Sequence, residues 1–264
     1  MNGLTSINVE LTSRCNKECF MCGRRKLEKE SPEKCSWGDM DFEMVQKIAR
    51  QVPKGTTVQL HNNGEPLLYP RLGEAIKCFD HCITGLNTNA KLLTDKAAEL
   101  AGLNSLTISI IPDDPEGEDQ FLKVQSYLEH EITKPPIIVF RILGVSEWLA
   151  EYFLLAKDHN ITIAKRQLHA PGGSFQYEKP TTIPEMGICL EALHKLSIDR
   201  CGFVSPCVRF DPRGEHVIGD MQKQSLAAIW IGEARSQFIF EHLNNSRFLA
   251  SPICASCAFW GVPR

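Results

Sequence analysis

The sequence lacks any long apolar run, and no stretch approaches the roughly 20 residues that cross a membrane as a helix. It also lacks an excess of charge of either sign, because 29 Lys and Arg residues face 32 Asp and Glu residues, for a formal net charge of -3. Nucleic acids and anionic membrane surfaces select for clustered positive charge, which this chain does not carry. We therefore expect neither kind of partner.

The first residues, M-N-G-L-T-S, lack the basic segment and the apolar stretch that together mark a secretory signal. Internal repeats and low-complexity tracts are also missing. We expect a cytoplasmic protein. The 264 residues, of which 43% are hydrophobic, suffice for one large α/β domain with a small second domain.

Cysteine, in contrast, is abundant, with 11 residues in the chain. An odd number of cysteines without an export signal argues against a disulfide framework. In a reducing compartment, clustered cysteines are more often metal ligands. The cysteines are therefore the first candidates for functional residues.

Short apolar runs alternate with segments of helical periodicity, a pattern that predicts a parallel sheet. The six predicted strands are Ile7–Thr12, Thr57–Leu60, Thr84–Asn87, Leu106–Ile111, Ile137–Ile142 and Ile161–Gln167. Helices are predicted between them, one of them from near Thr94 to Gly102. Six units are too few for a closed eight-stranded barrel, so we expect an α/β fold with a partial (β/α)6 TIM-like barrel over residues 1–178.

The pattern changes near Pro171-Gly172-Gly173, and a linker follows at about residue 180. Residues 179–264 are predicted to form a small C-terminal α+β domain. We expect a hairpin around residues 199–202 and helices near Ser225–Trp230 and Glu233–Leu243. The end of this segment is rich in cysteine.

Cys15, Cys19 and Cys22 lie in the stretch S-R-C-N-K-E-C-F-M-C-G-R, directly after the first predicted strand. A loop can turn all three thiolates inward, which suits a polynuclear iron–sulfur cluster. A 4Fe–4S cluster held by three cysteines leaves one iron without a protein ligand, and an open position characterises a reactive metal site. A structural zinc site with Cys35 as fourth ligand is the alternative, although zinc sites usually show paired cysteines.

The motif C-x3-C-x-Φ-C after the first strand of a parallel α/β sheet, with Met21 as the apolar Φ, resembles that of the radical SAM enzyme family. The resemblance implies that the open iron binds the amino and carboxylate groups of S-adenosylmethionine. It implies that one electron, from a reductant such as flavodoxin or ferredoxin, cleaves this cofactor. The resulting 5′-deoxyadenosyl radical then removes a hydrogen atom from the substrate.

The same resemblance implies contacts with S-adenosylmethionine at later strand ends. The turn H-N-N-G-E-P is similar to the Gly-Gly-Glu-Pro turn that binds the methionine amino group, with Asn63 in place of the first glycine. Ala90 stands where the family often has the glycine of Thr-Asn-Gly. The implied cofactor-binding residues are Met21, Asn63, Gly64, Glu65, Pro66, Asn87, Asn89, Ser109, Arg141 and Gln167. Arg141 and His169 are also the candidates for orienting the substrate or serving as the catalytic base.

A second set comprises Cys189, Cys207, Cys254 and Cys257, with Gly202 five residues before Cys207. It resembles the auxiliary-cluster domain of radical SAM enzymes, in the short version called twitch; the longer SPASM version needs further cysteines after the C-x2-C pair. The resemblance implies one auxiliary 4Fe–4S cluster with four cysteine ligands and an electron-transfer role. A four-cysteine zinc site stays open as an alternative, as does Cys201 in place of Cys189 or Cys207.

The sequence thus indicates a radical SAM oxidoreductase. The first hypothesis for its reaction is oxidation of a small polar metabolite, such as an aminocyclitol alcohol to a ketone, with the auxiliary cluster taking an electron. The second is modification of a ribosomally made peptide or protein, and we expect no peptide-recognition domain before the first strand. Hypotheses of other classes are a non-catalytic iron–sulfur electron carrier and a zinc-stabilised binding module.

Overall fold

The computed structural model describes residues 1–111, 114–131, 134–144, 149–166, 188–209, 211, 214–255 and 257. The strands within these ranges are β1 (Ser6–Val9), β2 (Thr57–Gln59), β3 (Ile83–Thr88), β4 (Ser105–Ile110), β5 (Ile137–Leu143), β6 (Thr162–Arg166), β7 (Lys195–Ile198), β8 (Phe203–Ser205) and β9 (Gly219–Asp220). The α-helices are α1 (Gly23–Glu30), α2 (Phe42–Ala49), α3 (Leu72–Cys78), α4 (Gly117–Leu128), α5 (Ala150–Asp158), α6 (Leu190–His194), α7 (Leu226–Ile231), α8 (Glu233–Leu243), α9 (Arg247–Ala250) and α10 (Pro252–Ala255).

The strands form a single sheet in the order β6-β5-β4-β3-β2-β1-β7-β8-β9. Strands β1 to β6 are parallel and lie side by side in sequence order. Since crossovers between parallel strands are right-handed, an unreversed order places the intervening helices on one face of the sheet. This is the winding of a partial barrel, and the predicted fold class is confirmed.

All six predicted core strands are present, with ends that differ by a few residues. The first ends at Val9 rather than Thr12, because the chain at Thr12 turns to form an isolated antiparallel bridge with Asp39. The helix predicted from Thr94 to Gly102 is wrong in type, since the structure has a 3-10 helix there, Ala97–Leu100. Ala97 and Leu100 are its buried residues, and residues three apart share one side of a 3-10 helix.

The two faces of the sheet differ in chemistry. On β4, apolar and polar residues alternate, so that Leu106, Ile108 and Ile110 join the core under the helices and Ser105, Thr107 and Ser109 face the other side. The pairing register continues this inner face across neighbouring strands with Asn8, Gln59, Asn87 and Arg141. A face of amides, hydroxyls and a guanidinium can bind a polar ligand, unlike the packed apolar interior of a closed barrel.

The C-terminal part of the chain extends the same sheet. β7 pairs in parallel with β1, and β8 and β9 follow as antiparallel neighbours. The hairpin predicted around residues 199–202 is therefore confirmed, and so are the two predicted helices, which are α7 and α8. In the described part of the chain, no helix combines the length and the apolar character needed to span a membrane.

Candidate functional site

The first three cysteines lie in the loop between β1 and α1, at the carboxyl end of the sheet. Cys22 is the N-cap of α1, and its backbone N–H donates to the carbonyl of Cys19 at 3.0 Å. This turn brings the last two cysteines together, and α1 then leads the chain away. The loop thus has the curled form that inward-facing thiolates require.

Burial governs the titration of two of the three thiols in this loop. Burial raises the pKa of Cys19 to about 11, Cys15 and Cys22 act in the same direction, and Lys17 opposes them. Burial also raises the pKa of Cys15, which is affected in turn by Cys22 and by the cation of Arg24. Such thiols stay protonated in the free protein, and metal binding would release their protons.

Side chains from two other loops anchor the cysteine loop. Asn89 Nδ2 donates to Asn16 Oδ1 at 2.9 Å and lies 4.0 Å from the sulfur of Cys15. Lys17 forms an ion pair with Asp114, and the two side chains are only 5% and 6% exposed. Asn89 follows β3 and Asp114 follows β4, so the ends of β1, β3 and β4 meet around the cysteines. The sequence reasoning missed Lys17 and Asp114, because nothing in their local pattern distinguishes them from surface charges.

The turn at residues 61–66 packs directly on the cysteine loop. A Cβ atom on Gly64 would collide with the carbonyl oxygen of Thr12 and would lie 2.7 Å from that of Arg14. The backbone N–H of Glu65 donates to the same Arg14 carbonyl at 2.8 Å. Only glycine permits this close approach, which explains its place in the motif.

The carboxylate of Glu65 is buried and saturated by protein donors. It accepts hydrogen bonds from Thr88 Oγ1 and the Asn89 N–H, both at 2.7 Å, and from the Leu67 N–H at 3.0 Å. Burial raises its pKa, and these three donors act against that rise. In the structure Glu65 joins the turn after β2 to the loop after β3, and its contact with the cofactor stays a prediction.

Asn63 is held by Glu10, a residue that the sequence reasoning missed. The N–H of Asn63 donates to Glu10 Oε1 at 3.1 Å, and the N–H of Arg200 donates to Oε2 at 3.2 Å. Burial raises the pKa of Glu10, while these backbone donors lower it. One carboxylate thus connects the motif turn with the turn between β7 and β8.

The loop after β3 contains the second departure from the family pattern. Ala90 has φ 63°, a left-handed conformation that favours glycine. The glycine usual at this place therefore has a physical basis, and alanine occupies the same backbone conformation here. Asn87 and Asn89, on either side of Thr88, both belong to the candidate site.

Arg141 and Ser109 are cross-strand neighbours on the inner face, and His61 lies near them. The register pairs Ser109 directly with Arg141. Burial lowers the pKa of His61 to about 3, and the charge of Arg141 contributes. The N–H of Asn87 donates to His61 Nδ1 at 3.2 Å, so the neutral ring carries its proton on Nε2. His61 was not predicted, and it can donate a hydrogen bond into the inner face.

The predicted residues not yet placed are Met21, Pro66, Gln167 and His169, together with Cys35, the alternative fourth ligand. Met21 is buried beside the cysteines, and Pro66 is buried at the start of a 3-10 helix, Pro66–Leu68. Gln167 and His169 lie outside the described residues. Cys35 ends a separate 3-10 turn, with its sulfur 3.9 Å from the carbonyl of Ser31.

The second cysteine set lines one cavity in the C-terminal part of the chain. Cys189, Cys207, Cys254 and Cys257 surround it together with His216, Phe238 and His242. Burial raises the pKa of Cys207 to about 12, and Cys189 and Cys257 reinforce the rise. Four thiols around one void match the donor set of a 4Fe–4S cluster.

Cys201 lies elsewhere, in the turn between β7 and β8. Its N–H donates to Asp199 Oδ1 at 2.9 Å, and its charged neighbours are Asp199, Arg200 and Glu10. The structure therefore groups Cys189 and Cys207, rather than Cys201, with the C-terminal pair. Across the residues described, no three Cys, His, Asp or Glu side chains converge closely enough to form a ready site for a single metal ion.

Comparison with known proteins supports this picture. Residues 189–258 match the model of the SPASM domain, an iron-sulfur cluster-binding domain. The crystal structure of BtrN in complex with AdoMet and 2-DOIA superposes with a TM-score of 0.61 at 18% identity, covering 96% of this chain and 92% of BtrN. Streptococcus suis SuiB bound to S-adenosylmethionine gives a TM-score of 0.67 at 12% identity, covering 97% of this chain and 72% of SuiB.

The chain therefore carries a SPASM domain, and its fold is similar to those of BtrN and SuiB. The cysteines of the first set lie in one loop and those of the second set line one cavity, and an iron–sulfur cluster at the second set agrees with the SPASM match. The SPASM match begins at Cys189 and includes all four cysteines of the second set.

Two curated sequences are also similar to this chain over part of its length. The tungsten-containing aldehyde ferredoxin oxidoreductase cofactor-modifying protein of Pyrococcus furiosus is 35% identical over 101 residues, which are 36% of this chain and 27% of that protein. The probable GTP 3',8-cyclase of Methanosarcina mazei is 29% identical over 121 residues, 43% of this chain and 35% of the relative. The aligned parts thus span about a third or less of these relatives.

Proposed function

We propose that this protein is a radical SAM oxidoreductase that oxidises a small polar metabolite. Cys15, Cys19 and Cys22 would hold a 4Fe–4S cluster with one iron left to S-adenosylmethionine. When bound and reduced by one electron, this pair of cofactors supplies a 5′-deoxyadenosyl radical that removes a hydrogen atom from a substrate C–H bond. The protein contributes placement, hydrogen bonds and exclusion of water.

The observation that carries the proposal is the joining of the cysteine loop to the motif turn. Gly64 lies against the backbone of the cysteine loop, and Asn89 contacts the same loop from the end of β3. In barrel-like α/β folds the carboxyl ends of the strands form the active site. A simple electron carrier needs no such nucleotide-binding turn beside its cluster, so the arrangement favours an enzyme.

Each of the predicted cofactor-binding residues would bind a different part of the cofactor. Asn63 and Gly64 offer backbone groups to the methionine moiety, and Asn87, Asn89 and Ser109 offer amides and a hydroxyl to the nucleoside. Met21 and Pro66 supply apolar surface, and Glu65 holds the turn in position. Gln167 is assigned to the same cofactor because it follows β6 in the sequence.

Arg141 serves in this proposal to bind a carboxylate of the cofactor or an anionic group of the substrate, since its guanidinium can bind both carboxylate oxygens. His61 is neutral and carries its proton on Nε2, so it donates a hydrogen bond and does not accept a proton. His169 is assigned as the base that takes the substrate hydroxyl proton, because the reference pKa of histidine suits that role. The polar inner face favours a substrate rich in hydroxyl or amino groups.

The SPASM site is proposed to accept the electron that remains after hydrogen abstraction. Cys189, Cys207, Cys254 and Cys257 would occupy all four irons, and a cluster without a free iron transfers electrons more readily than it binds a substrate. Peptide modification is the second candidate function. It draws on the likeness of the fold to SuiB, which has also been crystallised bound to the precursor peptide SuiA.

Anaerobic reconstitution with iron and sulfide tests the proposal. With reductant and S-adenosylmethionine, the wild-type protein is expected to release 5′-deoxyadenosine, measured by liquid chromatography. The Cys15→Ala/Cys19→Ala/Cys22→Ala variant is expected to release none while keeping the iron of the SPASM cluster. Cys35→Ala is the matched control and should behave as wild type.

If the wild-type protein holds both clusters and still cleaves no S-adenosylmethionine, the proposal of an enzyme is wrong and an electron-transfer function remains. Faster cleavage with aminocyclitols or sugars than with peptides supports the small-metabolite assignment. The opposite preference moves the assignment to peptide modification. Deuterium transfer from a labelled substrate carbon into 5′-deoxyadenosine identifies the position attacked.

A further inference from the structure

Two histidines line the cavity of the second cysteine set, and the reaction proposed above uses neither. His216 and His242 are only 2% and 1% exposed. Phe238 lies between them, with its ring centroid 5.3 Å from that of His216 and 4.8 Å from that of His242. The three rings form one wall of the space that the four cysteines enclose.

His216 contacts one of the cysteines directly. Its Nε2 lies 3.1 Å from Cys207 Sγ, and within the described structure its Nδ1 is buried without a hydrogen-bond partner. A neutral imidazole ring has one N–H donor and one lone pair.

The position of that proton follows from the chemistry of the cysteine. A cysteine that ligates iron is a thiolate and can only accept a hydrogen bond. If Nε2 were unprotonated, its lone pair would face the sulfur and the N–H on Nδ1 would be buried without an acceptor. The tautomer with the proton on Nε2 avoids both costs, so His216 is the donor.

The backbone around His216 is fixed in this orientation. Asp211 Oδ2 accepts the N–H of His216 at 2.7 Å, and Oδ1 accepts that of Glu215 at 3.0 Å. Phe238 packs edge-on against the imidazole from α8. The donor is thus held in place before a cluster binds.

We propose that His216 donates a hydrogen bond from Nε2 to the Cys207 thiolate of the auxiliary 4Fe–4S cluster and thereby raises the reduction potential of that cluster. Reduction adds negative charge to the cluster, and part of it is carried by the ligand sulfurs. A hydrogen bond to sulfur is stronger in the reduced state, so it favours reduction. His216 is a positioning and tuning residue and not a ligand.

The value of this tuning for catalysis rests on the proposed function, because an auxiliary cluster that takes an electron from a substrate radical works better at a higher potential. The hydrogen bond itself depends only on a cluster being bound to Cys207. Its test therefore reads the cluster and needs no substrate.

The experiment is a redox titration of the anaerobic holoprotein followed by EPR. Adding S-adenosylmethionine identifies the signal of the N-terminal cluster, which then serves as an internal reference. His216→Met, which has no donor, is expected to make reduction of the auxiliary cluster about tenfold less favourable, a fall of about 59 mV for a one-electron couple. His216→Gln, which keeps an N–H donor, should remain closer to wild type.

His242→Met is the matched control, because His242 is buried in the same wall on the other side of Phe238. Its auxiliary potential should equal that of wild type, and all variants are compared at equal iron and sulfide content. An unchanged potential in His216→Met, or an equal fall in His242→Met, overturns the proposal.

A second measurement needs no variant. In wild-type protein labelled with 15N-histidine, pulsed EPR of the reduced auxiliary cluster is expected to show a weak coupling to one histidine nitrogen. The absence of that coupling overturns the inference even if His216→Met fails to assemble its cluster. If the potential falls as expected but the protein oxidises no substrate, the inference about His216 is supported and the proposed function is wrong.

Discussion

At the scale of single residues, the site is built by close approach of backbone as much as by side-chain chemistry. The motif turn has no room for a side chain at Gly64, because the carbonyls of Thr12 and Arg14 occupy that place. Because glycine has no side chain, the backbone of the turn at residues 61–66 packs directly on the backbone of the cysteine loop. The distance between the cysteine loop and the turn at residues 61–66 depends on this contact.

We expect Gly64→Ala to reduce the free energy of unfolding by about 1–3 kcal/mol, the usual cost of adding a methyl group where packing leaves no room. The displaced turn should also weaken binding of S-adenosylmethionine, while the SPASM cluster keeps its iron. Urea unfolding followed by circular dichroism measures the first effect, and equilibrium binding measures the second.

Gly73→Ala is the control for this substitution. Gly73 lies in α3, and a Cβ there would meet Glu99 at an ordinary 3.4 Å. Alanine is favoured over glycine inside a helix by about 1 kcal/mol, so this variant should be as stable as wild type or more so. Equal urea midpoints for Gly64→Ala and wild type would show that the turn can move freely.

The functional residues were predicted unevenly from the sequence, and the reason is physical. The cysteine motif and the Gly-Glu-Pro turn were found because their residues resemble those of a known family. Glu10, His61 and His216 are single polar residues in or beside strands, a pattern shared with ordinary solvated positions. Their roles come from partners distant in sequence, such as Arg200 for Glu10, which a local pattern does not contain.

At the scale of elements, a buried ion pair helps to fix the cysteine loop. Lys17 lies between Cys15 and Cys19, and its partner Asp114 precedes α4. Both side chains are buried, so removal of one leaves an uncompensated charge inside the protein. The loop between β1 and α1 and the segment after β4 are therefore coupled.

Lys17→Met is expected to destabilise the protein by about 3–5 kcal/mol, since it isolates the buried Asp114 carboxylate. Adding Asp114→Asn removes that charge, so the double variant should lose less than the sum of the two single variants. Thermal or urea unfolding of the four proteins gives the coupling energy. Additive losses would mean that the two charges do not interact.

The exposed pair of Lys123 and Asp119 on α4 provides the comparison. These side chains are 33% and 59% exposed. Exposed pairs contribute about 0–1 kcal/mol, so Lys123→Met should have little effect on unfolding.

Elements with a regular apolar pattern were predictable, and α1 was not. The core strands and helices such as α2 and α4 show periods of two or about 3.6, which reflect one buried face. The α1 sequence G-R-R-K-L-E-K-E has no apolar stripe, and its buried residues are Gly23 and Arg24. The guanidinium of Arg24 lies over the ring of Trp37 at 4.1 Å, a contact that hydrophobic periodicity does not reveal.

At the scale of the whole molecule, the SPASM region is continuous with the barrel through the pairing of β7 with β1. The sequence predicted a hairpin in the C-terminal region but not this pairing, because the register between strands nearly 190 residues apart leaves no local signal. The sheet therefore provides a rigid connection between the two candidate cluster sites. Glu10 adds a second connection at the carboxyl end of β1.

Glu10 accepts one backbone N–H from each region, Asn63 from the barrel and Arg200 from the hairpin. Glu10→Gln has the same shape but replaces one acceptor oxygen with a donor, so one buried N–H loses its partner at a cost of about 1–3 kcal/mol. We expect faster hydrogen exchange in the turns at residues 61–66 and 199–204 together, with β4 and β5 unchanged, as measured by mass spectrometry. Glu43→Gln, at an exposed position of α2, is the control. Faster exchange in only one of the two turns would mean that each turn is stable independently, and that β7 pairing alone joins the SPASM region to the barrel.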